Sequence, residues 1–405
     1  MSAPKHDIVR VRLRPAAEKA VRSGHPWVFA DSIKSQHRTG GIGDVAIIYD
    51  RNDKFLAVGL YDPESPIRVR VVHVGKPQNI DRAFWADTIA KAFALRDELF
   101  GDKTNGYRII NGESEGFPGL VIDRYADVLV VKIYTSAWLP RLDMIQELVV
   151  EQAPDTALVL RLARNLQSLA ARDYDRKDGM VITGENVADT IVFQENGIRF
   201  NSDVIKGQKT GFFLDQRDNR ALVGSLASGR SVLNCFSFSG GFSLYAARAG
   251  ASAVTDLDIS AHALASAKAN FELNQHHETL AACPHHTVQA NAFDWLNEAD
   301  NHRFNLIVLD PPSLAKKESD RTNALTGYRQ LNAAGIRRLS PNGILVSASC
   351  SGHVRSDEFH QCVLDAARKS GRRFKEINRT GHAPDHPATF REAEYLKCIY
   401  LRFES

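Results

Sequence analysis

From about residue 205 the chain repeats one pattern, a continuous apolar run followed by a stretch of helical periodicity. The runs are SVLNCFSF at 231–238, AVTDLDIS at 253–260, LIVLD at 306–310 and GILVSAS at 343–349. Helical spacing follows them over 241–249, 261–274, 323–339 and 356–370. Strands that are apolar on both faces and separated by helices belong to a parallel sheet covered on both sides. Such sheets gather ligands at the carboxyl ends of their strands. The chemistry of this chain is therefore expected where these runs stop.

The first 75 residues read differently. IVRVRLRP, DVAIIYD, FLAVGLYD and PIRVRVVHV alternate with Gly and Pro punctuation, and Val9 to Leu13 has period two with one apolar and one basic face. Gly24-His25-Pro26-Trp27 reads as a tight turn carrying a half-exposed aromatic. A small all-β unit is expected over 1–75. A helix around 80–100, strands in GLVIDRYADVLVVKIY, a helix near 138–152 and β runs at 157–163 and 190–200 give a small α+β unit over 76–195. The α/β portion then spans 196–405.

With 405 residues and a net charge of +3, the chain is nearly balanced, but its charge is uneven. Residues 1–40 carry eight Lys/Arg against three Asp/Glu, and residues 314–338 carry six against two. Basic faces on a balanced chain point to a polyanionic partner. There is no run of about 18 apolar residues to span a bilayer. MSAPKHDIVRVRLRP lacks the apolar centre of a secretory leader. The five cysteines form no CxxC pair and no metal-ligand spacing, which implies reduced thiols, a cytoplasmic location and no metal. His276-His277 and His285-His286 read as surface residues in polar loops.

The strand over 232–236 ends in Asn234-Cys235-Phe236-Ser237-Phe238-Ser239-Gly240-Gly241, a turn whose glycines admit a ligand close to the backbone. Its spacing is not GxGxxG, so the pyrophosphate fingerprint of nicotinamide binding is missing. The next strand ends at Asp256-Leu257-Asp258-Ile259. An acid about 20 residues beyond the turn suits a ribose diol, and Asp258, at the strand end before Ser260, is preferred to Asp256. Asn291, Ala292 and Phe293 offer a polar edge and an apolar face for adenine. With Asp310-Pro311-Pro312 these pieces follow the order of a class I methyltransferase that uses S-adenosylmethionine. Asn234, Cys235, Phe236, Ser239, Gly240, Asp258, Ile259, Asn291, Ala292 and Asp310 are the expected cofactor residues.

Pro311 and Pro312 make a rigid loop able to hold a planar base. Methylases of exocyclic amines use a similar loop, commonly ending in an aromatic residue, and here that position is Ser313. Carbon 5 of cytosine needs a thiolate at carbon 6 before it accepts a methyl group. Cys350, in SASCSGHV, ends the strand after the Asp310 strand, and His353 and Arg355 are placed to favour its thiolate. Asp310 is a candidate to protonate or hydrogen-bond the ring nitrogen. The base that removes the carbon 5 proton is not identified.

GHPWVF, GQKTGFFLDQRDNR, VLNCFSFSGGFSLYAA, LDPPS, SCSGHV and DHP…EYLK together resemble the RlmI-type 23S ribosomal RNA cytosine-carbon-5 methyltransferases. The resemblance covers nearly the whole chain. It implies an N-terminal PUA domain for RNA, a small central α+β domain, a C-terminal Rossmann-like methyltransferase domain, and Cys350 as the nucleophile. Asn291 and Asn234 stand where many methyltransferases carry acids. Lys209, Phe212, Gln216 and Arg217 combine charge with aromatic surface, and with Pro311, Pro312 and Trp27 they are the expected RNA contacts. Ribosomal RNA is the expected partner, with no membrane, and an exposed sheet edge is available to pair two copies. Two other readings remain open: an RNA exocyclic-amine methylase using the Asp310 loop, and an RNA-binding assembly factor.

Overall fold

The computed structural model describes residues 7–185, 187–298 and 302–404. Residues 1–6, part of the segment read for a leader, lie outside the described residues. Two compact units are present. The first takes in Met1–Asn196, Ser202–Phe212 and Asp385–Phe390; the second takes in Gly197–Asn201, Phe213–Pro384 and Arg391–Ser405.

The first unit contains two sheets. Strands β1 (Ile8–Leu13), β2 (Trp27–Phe29), β3 (Ile33–Gln36), β4 (Val45–Tyr49), β5 (Phe55–Tyr61) and β6 (Ile67–Val74) form a six-stranded sheet in the order β2-β6-β5-β4-β1-β3. β1 buries Val9, Val11 and Leu13 and exposes Ile8, Arg10 and Arg12, as its period-two pattern requires. This part is not purely β. Residues Pro15–Arg22 form a helix that Pro15 opens at its first turn, where a missing N–H costs nothing.

The second sheet comprises β7 (Gly106–Asn111), β8 (Leu120–Tyr125), β9 (Val128–Ile133), β10 (Ala157–Leu162) and β11 (Met180–Thr183), in the order β11-β10-β9-β8-β7. The helix Arg82–Leu99 begins at Asp81, whose side chain accepts from Phe84 N. Trp85 packs on Trp138 and Phe117, with ring centroids 5.0 and 5.2 Å away. The late segment Asp385–Phe390 completes this unit. Buried Arg96 donates to both oxygens of Glu115 and to the Asp385 carbonyl, and Asn111 Nδ2 donates to the Pro387 carbonyl at 2.8 Å.

After β12 (Ile191–Glu195) and β13 (Ile198–Ser202) come the seven strands of the second unit's large sheet. They are β14 (Ser231–Cys235), β15 (Ala253–Asp258), β16 (His285–Gln289), β17 (Phe304–Leu309), β18 (Leu339–Ser349), β19 (Phe374–Thr380) and β20 (Lys397–Phe403). Their order is β16-β15-β14-β17-β18-β20-β19. The first five are parallel, as the apolar runs predict. β20, whose orientation the runs leave open, is antiparallel to both neighbours. No helix of the crossover kind joins β19 to β20, and without one a strand must return antiparallel. Strand order reverses between β14 and β17, so a crevice opens at their carboxyl ends.

The helix Ser356–Lys369 packs on β20 and buries Phe359, His360, Cys362 and Val363. His360 is 7% exposed, and its Nε2 has no hydrogen-bond partner among the described residues. Burial pushes its imidazole down to about 4, with Arg379 acting in the same direction. The unfolded chain therefore binds the proton more readily between pH 6.5 and 4. Stability is expected to be full above pH 6.5 and to fall as pH drops through that window, by on the order of 2 kcal/mol after allowance for solvent screening. Urea titrations at stepped pH check this; His360→Gln should flatten that part of the profile.

Candidate functional site

The turn after β14 hangs on β15. Phe236 N and Ser237 N donate to the Leu257 carbonyl, at 2.8 and 3.2 Å, and Phe238 N donates to Asp258 Oδ2 at 3.0 Å. Phe236, Phe238 and Gly240 all have positive φ. At 240 a Cβ would lie 3.0 Å from Asp256 Oδ2 and from Ala267 Cβ, so glycine is what lets the turn close over the acid.

Beneath the turn lies a buried polar cluster. Asp256 Oδ1 accepts from Asn234 Nδ2 at 2.9 Å and from Ser243 Oγ at 2.6 Å, and Asp256 Oδ2 lies 2.8 Å from His285 Nε2. His285 stacks on Phe271 with centroids 3.8 Å apart. It is thus a packed partner of Asp256, which corrects the surface reading. Asn234 Oδ1 and Ser237 Oγ are buried without a partner among the described residues.

Asp258 stands higher, half-buried at the strand end. Its oxygens accept from Ser260 N and Phe238 N and each keeps a lone pair for a further donor. Ile259 beside it is 69% exposed, an apolar surface at the mouth of the crevice. Asn291 Oδ1 accepts from Phe293 N at 2.9 Å and caps the short helix Ala292–Trp295. Ala292 is buried. The Cys235 side chain is fully buried in the core, so only its backbone borders the turn.

The loops after β17 and β18 adjoin, since Leu309 pairs with Ser347. Ser349 and Ser351 are buried, and the hydroxyl of Tyr328 lies between theirs at 2.8 and 2.9 Å. Ser351 Oγ also accepts from Leu314 N at 3.1 Å and from Ala315 N at 3.4 Å, so it ties the second loop to the first. Cys350, between the two serines, is half-buried, its Sγ 3.9 Å from the Pro311 carbonyl. The other four cysteines are buried, and burial pushes their thiols up, Cys398 to about 12. Asp310 Oδ2 accepts from Gln216 Nε2 at 3.0 Å, and Gln216 Oε1 accepts from Asn219. Pro311 is buried and Pro312 exposed.

Residues 108–402 match the S-adenosylmethionine-dependent methyltransferase family model, and residues 11–73 match a PUA-like domain. The chain belongs to the S-adenosylmethionine-dependent methyltransferase family. It is 54% identical over 413 residues to a ribosomal RNA large subunit methyltransferase of Deinococcus radiodurans, with 100% of each chain covered. It is 38% identical to ribosomal RNA large subunit methyltransferase I of Shewanella frigidimarina, covering 97% of this chain and 99% of the relative. These relatives place it in the RlmI group. Among solved structures, a methyltransferase complexed with SAH shares its fold at TM-score 0.82 and 22% identity, covering 98% of this chain and 100% of the other. A methyltransferase from Streptococcus mutans does so at TM-score 0.80 and 22% identity, covering 97% and 99%.

The cofactor of this methyltransferase is S-adenosylmethionine. The unpartnered Asn234 Oδ1 and Ser237 Oγ at the turn are the kind of buried acceptor and hydroxyl that a polar ligand satisfies, so the residues present fit it.

Several expected side chains sit elsewhere in the methyltransferase. Phe212 is 3% exposed; its ring packs on Phe193 with centroids 5.1 Å apart, and its N–H donates to Tyr125. It is core, not a base platform, because its apolar ring finds a closed aromatic cluster. Trp27 is half-buried, donates to Glu113 Oε1 at 2.8 Å and meets Phe390 edge-on. Lys209 is exposed, and its carbonyl accepts from Lys132. Gln216 and Arg217 are buried, Arg217 beside Asp218. His353 lies 3.5 Å from Glu318, and Arg355 pairs with Asp357 and caps its own helix. Both are engaged with acids and do not supply a free positive charge to the thiol.

The residue that sequence reasoning missed is Lys397. It opens β20, is 2% exposed, and donates to the carbonyls of Ser351 and Val354 at 2.6 Å and of Tyr395 at 3.1 Å. A lysine inside the apolar strand KCIYLRF was the available signal.

Proposed function

We propose that this methyltransferase forms 5-methylcytosine in large-subunit ribosomal RNA through a covalent Cys350 adduct, within a chain divided at 1–75, 76–195 and 196–405. The observation that carries the reading is the placing of Cys350. It is the one cysteine of five outside the core, on a strand-end loop joined through Ser351 to the Asp310-Pro311-Pro312 loop. The relatives' names supply the RNA, and the basic outer face of β1, with Arg10 and Arg12 exposed, supports phosphate contacts in the PUA-like part.

The chemistry follows from the thiol. The Cys350 thiolate adds to carbon 6 of a cytosine, forming an Sγ–C6 bond and making carbon 5 an enamine-like nucleophile. Bound S-adenosylmethionine supplies an electrophilic methyl group on a sulfonium. Once carbon 5 carries the methyl, loss of its proton to a base restores the C5–C6 double bond and expels the thiolate. Asp310, whose Oδ2 accepts from Gln216, is the group assigned to the ring nitrogen that gains electron density: in its protonated form its O–H donates to that nitrogen. Ser313 donates to the Ala315 carbonyl, which gives the loop no aromatic surface of the kind used on exocyclic amines.

Mass spectrometry of nucleosides from treated large-subunit RNA tests the reading. 5-Methylcytidine is expected; N-methylated guanosine or adenosine in its place would refute it. For the cofactor, Asp258→Ala is expected to weaken S-adenosylmethionine binding about tenfold or more, because it removes a charged acceptor worth roughly 1.5–3 kcal/mol. Titration calorimetry reads this, and Asp258→Asn, which keeps one acceptor oxygen, should lose less.

A further inference from the structure

We propose that Lys397 is the positioning residue of the Cys350 thiol: its ammonium group fixes the loop that follows Cys350 and supplies the positive potential that favours the thiolate. The proposal rests on the reading of Cys350 as nucleophile. Lys397 spends its three N–H donors on Ser351, Val354 and Tyr395, all of them neutral carbonyls. Two of these lie one and four residues beyond Cys350, so the loop cannot swing without breaking them.

The geometry also shows what a loop clasp alone would not need. A buried ammonium carries a desolvation cost of several kcal/mol. Neutral donors could satisfy the same carbonyls without it. The nearby guanidiniums are already neutralised, Arg321 by Glu358 and Arg355 by Asp357. Among the described residues Lys397 has no carboxylate as a hydrogen-bond partner, so its field reaches its surroundings. The ionisable groups whose charges act on it are Cys350 and Glu358, and it acts in turn on His360, which burial keeps neutral at pH 7. Burial pulls the Lys397 ammonium down to about 8, and Cys350 acts in the opposite direction, so each charge favours the other. Near neutral pH the lysine is mostly charged.

The test is thiol chemistry in the full-length protein. Iodoacetamide alkylation of the Cys350 peptide is followed by mass spectrometry from pH 5.5 to 9.5 in wild type, Lys397→Met and Lys397→Arg. The wild-type half-point is expected below that of a free thiol, about 8.5. In Lys397→Met it should rise by about one pH unit, a tenfold slowing at pH values below both half-points. Lys397→Arg, which keeps the charge, should recover most of the difference. A Met profile that overlays the wild type, or an Arg profile that overlays the Met, overturns the proposal. Should Lys397→Met fail to fold by circular dichroism, the wild type decides alone: a half-point at or above 8.5 overturns it. An unshifted profile beside normal 5-methylcytidine formation removes the role of Lys397 only. A shifted profile without 5-methylcytidine removes the reaction and leaves Lys397 acting on the thiol.

Discussion

Cys350→Ala is expected to lower methyl transfer by on the order of 10⁴-fold or more, while S-adenosylmethionine affinity stays at the wild-type value. The size follows from the substrate. Without an Sγ–C6 bond, carbon 5 has too little electron density to take the methyl group, and no other cysteine can replace Cys350. Cys235, Cys283, Cys362 and Cys398 are all buried. The unchanged affinity follows from position, because Cys350 ends β18 whereas the turn, Asp258 and Asn291 end β14, β15 and β16. Transcripts carrying 5-fluorocytidine give the direct readout. Fluorine at carbon 5 cannot leave as a proton does, so wild type should accumulate a complex that survives denaturing electrophoresis. Retention of that band in the alanine variant would put the nucleophile elsewhere.

Asp256→Ala is expected to cost about 3–5 kcal/mol of stability and to abolish cofactor binding with it. The carboxylate is fully buried and receives Asn234, Ser243 and His285 at once. Alanine leaves those groups unpaired and withdraws support from the turn closed at Gly240. Asp256→Asn is a sharper probe. Its retained Oδ1 still accepts from Asn234 and Ser243, and its new amide donates to His285 Nε2 if the imidazole moves its proton to Nδ1. A cost near 1 kcal/mol is expected for it. Urea unfolding measures both, and equal losses in the two variants would show that the charge, rather than the hydrogen bonds, holds the cluster.

What could be read from the amino acids divides by distance along the chain. The runs ending at Cys235, Asp258, Leu309 and Ser349 announce buried strands because most of their residues are apolar on both faces, and two of the exceptions, Asn234 and Asp256, bond to each other. The adjacency of Cys350 to the Asp310 loop follows, since consecutive strands in such sheets usually neighbour one another. Misread features depend on remote partners. His285 looks like a loop histidine until Asp256, 29 residues away, is placed against it. Lys397 looks anomalous in its strand until two carbonyls from the loop after Cys350 converge on it beside that of Tyr395. Phe212 carries the composition of a base-stacking surface, yet Phe193 and Tyr125 enclose it. The orientation of β20 likewise depends on a return path that periodicity does not encode. The helix at Pro15–Arg22 was local, and its opening proline was there to be read.

The short stretch Asp385–Phe390 has a consequence for biosynthesis. It belongs to the unit otherwise formed by Met1–Asn196 and Ser202–Phe212, where it meets Arg96, Arg108 and Asn111. Ribosomes extend chains at about 5–20 residues per second. The amino-terminal unit therefore waits on the order of ten seconds or more for its last piece, with the Arg96 guanidinium short of one acceptor meanwhile. A fragment stopped at 212 would stay in that waiting state, more open to proteases at the edge of β7. Nascent-chain proteolysis, sampled before and after residue 390 has left the exit tunnel, would time the closure.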